Sequence, residues 1–202
     1  MHRVILVTKG IEHPTYAGRQ ILIKSLMNLE GITFNHVNSL DQLPSDIQKF
    51  NSIVLYFHEQ KVSNAGLSLF GQFVFEGGGV LAIHSATASF MESPLYFEIL
   101  GGRFKWHGQI KKFMLTPVAG KNVFKGLPPF FVEDELYIHD LQPGITPHFT
   151  TLEGEEEIPM VWTHHYGKGR VCYAAPGHRP ETMCHPDYQN LLKKGLSWTL
   201  GV

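Results

Sequence analysis

The chain is short of cysteine, of lysine and arginine in runs, and of long apolar stretches, and each shortage removes a class of protein. Two cysteines in 202 residues, Cys172 and Cys184, cannot build a disulfide framework for a domain of this size. Without a C-x-x-C pattern they define neither a redox pair nor a zinc knuckle, so both are expected as free thiols. Lys and Arg total 17 against 18 Asp and Glu, a formal net charge of -1. No basic cluster is present to neutralise a phosphate backbone or an anionic membrane surface, so nucleic acid and membranes are not expected partners. The first apolar run, "RVILVT" at residues 3–8, is too short for a signal sequence. Nothing later approaches the roughly 18 apolar residues of a membrane span, and a cytoplasmic location is expected. Internal repeats and low-complexity linkers are also missing, which leaves one domain over residues 1–202.

What is present in excess is histidine, 12 residues of it, the side chain whose ordinary pKa lies nearest neutrality. Its placement depends on the fold. Residues 3–8 read as a buried strand. Ile21, Leu22, Leu26, Met27 and Leu29 fall near helical spacing over residues 17–30, closed by Gly31. "ITFNHV" (32–37) and "SIVLYF" (52–57) read as strands. Ser63 then caps a helix carrying Leu67, Phe70, Phe73 and Val74, which the glycines at 77–79 end, and "VLAI" (80–83) is the next strand. Apolar runs alternating with helices predict an α/β fold with a parallel sheet covered on both faces.

The second half reads as strands at 111–118, 130–141, 148–153, 158–166 and 170–177, with Gly167-Lys168-Gly169 as a hairpin turn. No helix is evident there until Pro186, after which Tyr188, Leu191, Leu192, Leu196 and Trp198 resume helical spacing. The prediction is an α/β core, an antiparallel β extension and a C-terminal helix. Phe130, Phe131 and Trp106 suit either the core or a subunit interface, which leaves a homo-oligomer open.

Four histidines fall at predicted carboxyl ends of strands, where such sheets place their ligands: His13, His58, His84 and His178. For each one, a structural histidine capping a loop is the competing reading; the set points to a site. His84 is the sharpest. "GGGVLAIHSATASF" (77–90) runs from a strand into a tight turn, and small residues such as Ser85, Ala86 and Ala88 suit a crowded elbow above a sheet. The apex is an imidazole, where acyl transfer would need cysteine or serine. Ser85 follows one residue too late and reads as a helix cap rather than a nucleophile.

"EDELY" (133–137) supplies carboxylates. Strand alternation puts Glu133, Glu135 and Tyr137 on one face and Asp134 and Leu136 on the other. Glu135 with Tyr137 would orient an imidazole or bind hydroxyls, unless that face is simply solvated. "FKWHGQ" (104–109) sets Trp106 beside His107, a pairing that suits a sugar's apolar face and hydroxyl edge as well as an ordinary core tryptophan. His164 and His165, next to the hairpin turn, are expected in solvent.

Five motifs in order, "GGGVLAIHSA", "LGGRFKWHGQ", "EDELY", "VWTHHYGKGRVCYAAPGH" and "LLKKGLSW", resemble the ThuA-like (trehalose utilisation) family, which is similar in fold to class I glutamine amidotransferases. The resemblance implies a flavodoxin-like domain. In it His84 stands where an amidotransferase carries its cysteine, and His178, in "GHRPE", is the facing imidazole. His107 and Glu135 match family motifs, and His13 and His58 match less specifically. It also implies a small-molecule carbohydrate as ligand, through disaccharide and keto-sugar catabolism, and not glutamine amidotransfer.

On this basis His84, His107, Glu135 and His178 are the expected catalytic residues, by proton transfer in an isomerisation, elimination or hydrolysis of a keto-sugar. His13, His58, Ser85, Trp106 and Tyr137 are the expected substrate contacts. His84, His107 and His178, with Glu135 as a further ligand, would alternatively hold zinc, nickel, iron or manganese. A non-catalytic sugar-binding or regulatory module is the competing class.

Overall fold

Burial on both faces explains the strands at the centre of the molecule. A computed structural model describes residues 1–9, 14–27, 29–121 and 123–202. In chain order its first half runs β1 His2–Lys9, α1 Tyr16–Met27, β2 Ile32–Val37, β3 Ser52–Phe57, α2 Asn64–Phe75, β4 Gly79–Ile83, a 3-10 turn at His84–Ala88, and α3 Pro94–Leu100. Then follow β5 Gly102–His107, β6 Lys111–Pro117, β7 Phe130–Asp134, β8 Tyr137–Leu141, β9 Thr146–Glu153, β10 Glu156–Tyr166, β11 Gly169–Ala174, α4 Pro180–Cys184 and α5 Pro186–Leu200.

Nine strands form one sheet in the order β2-β1-β3-β4-β11-β10-β9-β6-β7. The first five are mutually parallel, and β10, β9, β6 and β7 continue the sheet antiparallel. Helices cover both faces, so the fold is the expected flavodoxin-like α/β architecture. Val4, Ile5 and Val7 of β1, residues 53–57 of β3 and Val80 to Ile83 of β4 have no solvent exposure. Removing each such large side chain from water contributes about 1.5–3 kcal/mol. No helix among the described residues is long and apolar enough to cross a membrane.

Four sequence expectations need correction. The helix expected over 17–30 is described only to Met27, with Gly31 beyond it at a φ of +75° that favours glycine. Residues 170–177 do not belong to the antiparallel extension alone: β11 pairs in parallel with β4, Val171 opposite Val80, and so completes the core. Two short helices lie outside the expected pattern. α3 carries its own signals, the Ser93 hydroxyl accepting from the Tyr96 amide at 3.2 Å, proline in the first turn and Gly101 at φ +73° beyond its end. α4, Pro180–Cys184, precedes Pro186, before which no helix was expected.

The fourth correction bears on the site. Residues 130–141 are not one strand but two, β7 in the main sheet and β8 paired with β5 in a separate two-stranded sheet. Alternation holds through Asp134 and then stops. Asp134, Glu135, Leu136 and Tyr137 are all buried, while Glu133 is exposed and paired with Arg179. The chain crosses from one sheet to the other at Glu135.

Candidate active site

The carboxyl edge of the parallel strands gathers the chemistry. β4 ends at Ile83, and His84 takes a φ of +50°, a left-handed conformation that costs a non-glycine residue about 1–3 kcal/mol. The expected elbow is therefore present, and its apex ring is fully buried. The turn is held from below: the His84 carbonyl accepts from the Tyr173 hydroxyl at 2.9 Å and from Thr87 at 3.2 Å. The ring itself is oriented by the Ala175 carbonyl, 2.9 Å from Nδ1. A carbonyl only accepts, so Nδ1 is the donor in this contact and Nε2 is the ring nitrogen turned toward Glu135.

Nε2 of His84 lies 3.4 Å from Oε2 of Glu135. The same oxygen is 3.6 Å from Nδ1 of His178, and the other carboxylate oxygen is 3.7 Å from Nε2 of His107. One carboxylate thus sits among three imidazoles brought from the elbow, from the loop after β11 and from the end of β5. Tyr137 lies between two of the rings, 4.3 Å from His84 and stacked at 5.5 Å on His107, centroid to centroid. Burial above all, then neighbouring groups that include Tyr173 and Glu135, keeps its hydroxyl protonated far above the usual phenol range.

Asp134, which strand alternation set apart from the site, positions it. Its Oδ1 accepts from the amides of Glu135 at 2.8 Å and His178 at 3.0 Å, and its Oδ2 from Gly177 and Arg179 at 3.2 Å each. The 175–178 loop is fixed further by its carbonyls. Pro176 accepts from Tyr188, Gly177 from Tyr56, and His178 from Thr15 at 3.3 Å. Gly177 has a φ of +148°, and a Cβ there would lie 2.9 Å from the Cβ of His84. Only glycine lets the loop approach the elbow so closely.

The remaining expected contacts divide. Trp106 is half exposed on β5, not a core residue, and lines a cleft of ≈ 240 Å³ with Leu136, Lys111 and Glu153. Ser85 is buried and donates to the Phe57 carbonyl at 3.1 Å, which is neither a cap nor a nucleophile's orientation. His58 is exposed, its Nε2 2.7 Å from the Gln60 amide nitrogen. His13 lies outside the described residues. His165 is exposed as expected, but His164 is only partly so, with Nε2 3.1 Å from the Glu98 carbonyl. A cleft of ≈ 370 Å³ bounded by Asn51, Gly78 and Arg170 lies at the amino ends of the strands, away from the histidines.

His139, which no motif marked, underlies the elbow. Its Nε2 is 3.1 Å from both the Thr87 and the Tyr173 hydroxyls, and its ring packs edge-on against Trp162. Burial, reinforced by His84, pushes its pKa down to about 3; burial and Lys121 push that of His148 down to about 4. Between those values and the ordinary 6.5, the unfolded chain binds protons that the folded one refuses. The stability these rings confer is complete above about pH 6.5 and is lost as pH falls toward 4, by up to about 1.4 kcal/mol per pH unit per ring. Urea unfolding at pH 7.5, 6 and 5 is expected to show that decline, smaller in His148→Gln.

A mixed α/β sheet carries a histidine at the turn after β4 and, at its carboxyl edge, a carboxylate among three imidazoles. The chain belongs to the ThuA family, described as trehalose utilisation, whose model matches residues 3–199. Two solved relatives are ThuA-like proteins. The one from Parabacteroides merdae is 21% identical with a TM-score of 0.86, over 98% of this chain and 90% of that one. The one from Bacteroides uniformis is 17% identical with a TM-score of 0.80, over 98% and 91%. The β-galactosidase of Rahnella sp. R3 shares the fold over 96% of this chain and 31% of its own, at 16% identity and a TM-score of 0.66. No curated protein matches the sequence.

Proposed function

We propose that the chain is an enzyme of carbohydrate catabolism that moves a proton on an oxidised, keto-bearing sugar or disaccharide, with Glu135 as the base. The observation that carries this reading is the buried Glu135 carboxylate within 3.4–3.7 Å of nitrogens of His84, His107 and His178. A carboxylate among imidazoles transfers protons near neutral pH. Cleaving an unactivated glycosidic bond calls for two carboxyl groups on opposite sides of the bond. Here the second carboxylate, Asp134, is engaged by four backbone amides. A carbonyl on the sugar removes that requirement, because it acidifies the neighbouring C–H and opens isomerisation or elimination to a single base.

The partly exposed rings of His107 and His178 and the neutral Tyr137 hydroxyl are the groups that return the proton to oxygen. Trp106 offers a plate for the apolar face of the sugar. Amidotransfer is not part of this reading. The elbow carries no thiol, and burial pushes the Cys172 thiol up to about 12, where no thiolate forms near neutral pH. The reading includes a cytoplasmic site of action, where keto-sugars made by dehydrogenases would be met.

The test is a panel of 3-keto-glucosides and 3-keto-disaccharides incubated with the protein and followed by NMR. Conversion of at least one, lost in Glu135→Gln, is the expected result. A folded protein that binds unoxidised disaccharide, converts no keto-sugar and is indifferent to Glu135→Gln would instead be a binding module.

A further inference from the structure

We propose that Nε2 of His84, Oε2 of Glu135 and Nδ1 of His178 form a site for one divalent transition-metal ion. These three atoms lie within 4.8 Å of one another and come from three separate parts of the chain. The separations from the shared oxygen, 3.4 Å and 3.6 Å, are longer than the roughly 2.7–3.2 Å usual for an N–H···O hydrogen bond. They are close to the roughly 3.3 Å that separates two donors on a tetrahedral ion with bonds of about 2.0–2.1 Å. Both separations from Glu135 are those of donors around a common centre.

The surroundings prepare those atoms for coordination. The Ala175 carbonyl accepts a hydrogen bond from Nδ1 of His84 at 2.9 Å, the outer contact that metal-binding histidines make, and this sets Nε2 toward Glu135. Asp134 Oδ1 receives the amides of both Glu135 and His178, so a single carboxylate fixes the backbone of two of the three ligands. His84 is fully buried, whereas the side chains of Glu135 and His178 are 8% and 19% exposed. The open coordination position therefore lies toward the side from which a substrate enters.

The set differs from the three histidines expected from sequence. His107 approaches the other oxygen of Glu135, at 3.7 Å, and its Nδ1 proton goes to the Gly108 carbonyl at 2.7 Å. It is an outer residue here, with Glu135 in its place as the third ligand. Two histidines and one carboxylate with an open position suit zinc, iron, manganese or nickel. An ion held there would polarise a carbonyl oxygen.

Metal content is measured without any sugar, so this inference and the proposed function fail independently. The experiment uses the full untagged chain, purified without chelators, stripped by dialysis and titrated separately with zinc, manganese, iron(II) and cobalt(II). Bound ion is read by elemental analysis and, for cobalt, by its visible spectrum. The expected result is close to one equivalent of at least one ion and a cobalt spectrum of low coordination number. Affinity should weaken at least about 100-fold in His178→Ala and in Glu135→Gln, and by clearly less, about 10-fold, in His107→Ala, where only an outer residue is changed. Less than a tenth of an equivalent of every ion on the unsubstituted chain would overturn the proposal. So would binding that survives both ligand substitutions, or binding that His107→Ala abolishes.

Discussion

Glu135→Gln is expected to lower turnover of a keto-sugar by about 10³-fold or more, within the range that a positioned general base contributes. Glutamine keeps the volume and the backbone amide that Asp134 holds at 2.8 Å, but it has no negative charge and no basic oxygen. The three imidazole nitrogens within 3.4–3.7 Å lose the group that ties them together. Thermal unfolding of the variant should stay near that of the unsubstituted protein, because the residue is changed and the loop is not. A variant that retains most of its activity would remove Glu135 from the chemistry.

Asp134→Ala is expected to cost about 3–5 kcal/mol of stability and to abolish activity together with it. Four amides converge on this fully buried carboxylate. An unsatisfied buried donor costs about 1–3 kcal/mol, and more when it has lost a charged partner. For a domain of this size the loss corresponds to a fall in Tm of about 10 °C or more. Asp134→Asn should fall between. It keeps one carbonyl oxygen for the Glu135 and His178 amides but turns an NH₂ toward those of Gly177 and Arg179. Calorimetry of the three proteins orders them, and an Asp134→Ala protein as stable as the unsubstituted chain would show that water replaces the carboxylate at no cost.

Asp134 also marks where the sequence stops being informative. The parallel core was legible because strands buried on both faces are uninterrupted apolar runs, and β1, β3 and β4 are such runs. The elbow was legible too, because His84 directly follows the apolar run at 80–83 and precedes the small residues Ser85 and Ala86 that a crowded turn needs. The crossover at Glu135 was not. Residues 130–134 alternate between buried and exposed, and nothing local announces that Asp134 turns to amides 43 to 45 residues away. Period-two patterning reports the face of a strand, not the place where the chain leaves the sheet.

The same distinction separates the site residues. His84, His107, Glu135 and His178 lie on motifs and were found together. His139 sits in a plain strand segment, and its contacts with Thr87 and Tyr173 span 52 and 34 residues, so only the folded chain reveals it. Ser85 shows the converse. Its position beside the apex drew attention, yet its hydroxyl is turned down to the end of β3. In α3 the cap and the closing glycine were readable, and the seven-residue span was too short for helical periodicity to bring them out.

Solvent-deuterium exchange tests the central claim most directly. A 3-keto-glucoside is incubated in D₂O with the protein, and the proton on the carbon next to the carbonyl is followed by NMR. If Glu135 abstracts that proton, the unsubstituted chain replaces it with deuterium at least about 100-fold faster than Glu135→Gln does. Exchange no faster than in buffer, or conversion of the sugar with that proton retained, would contradict the account.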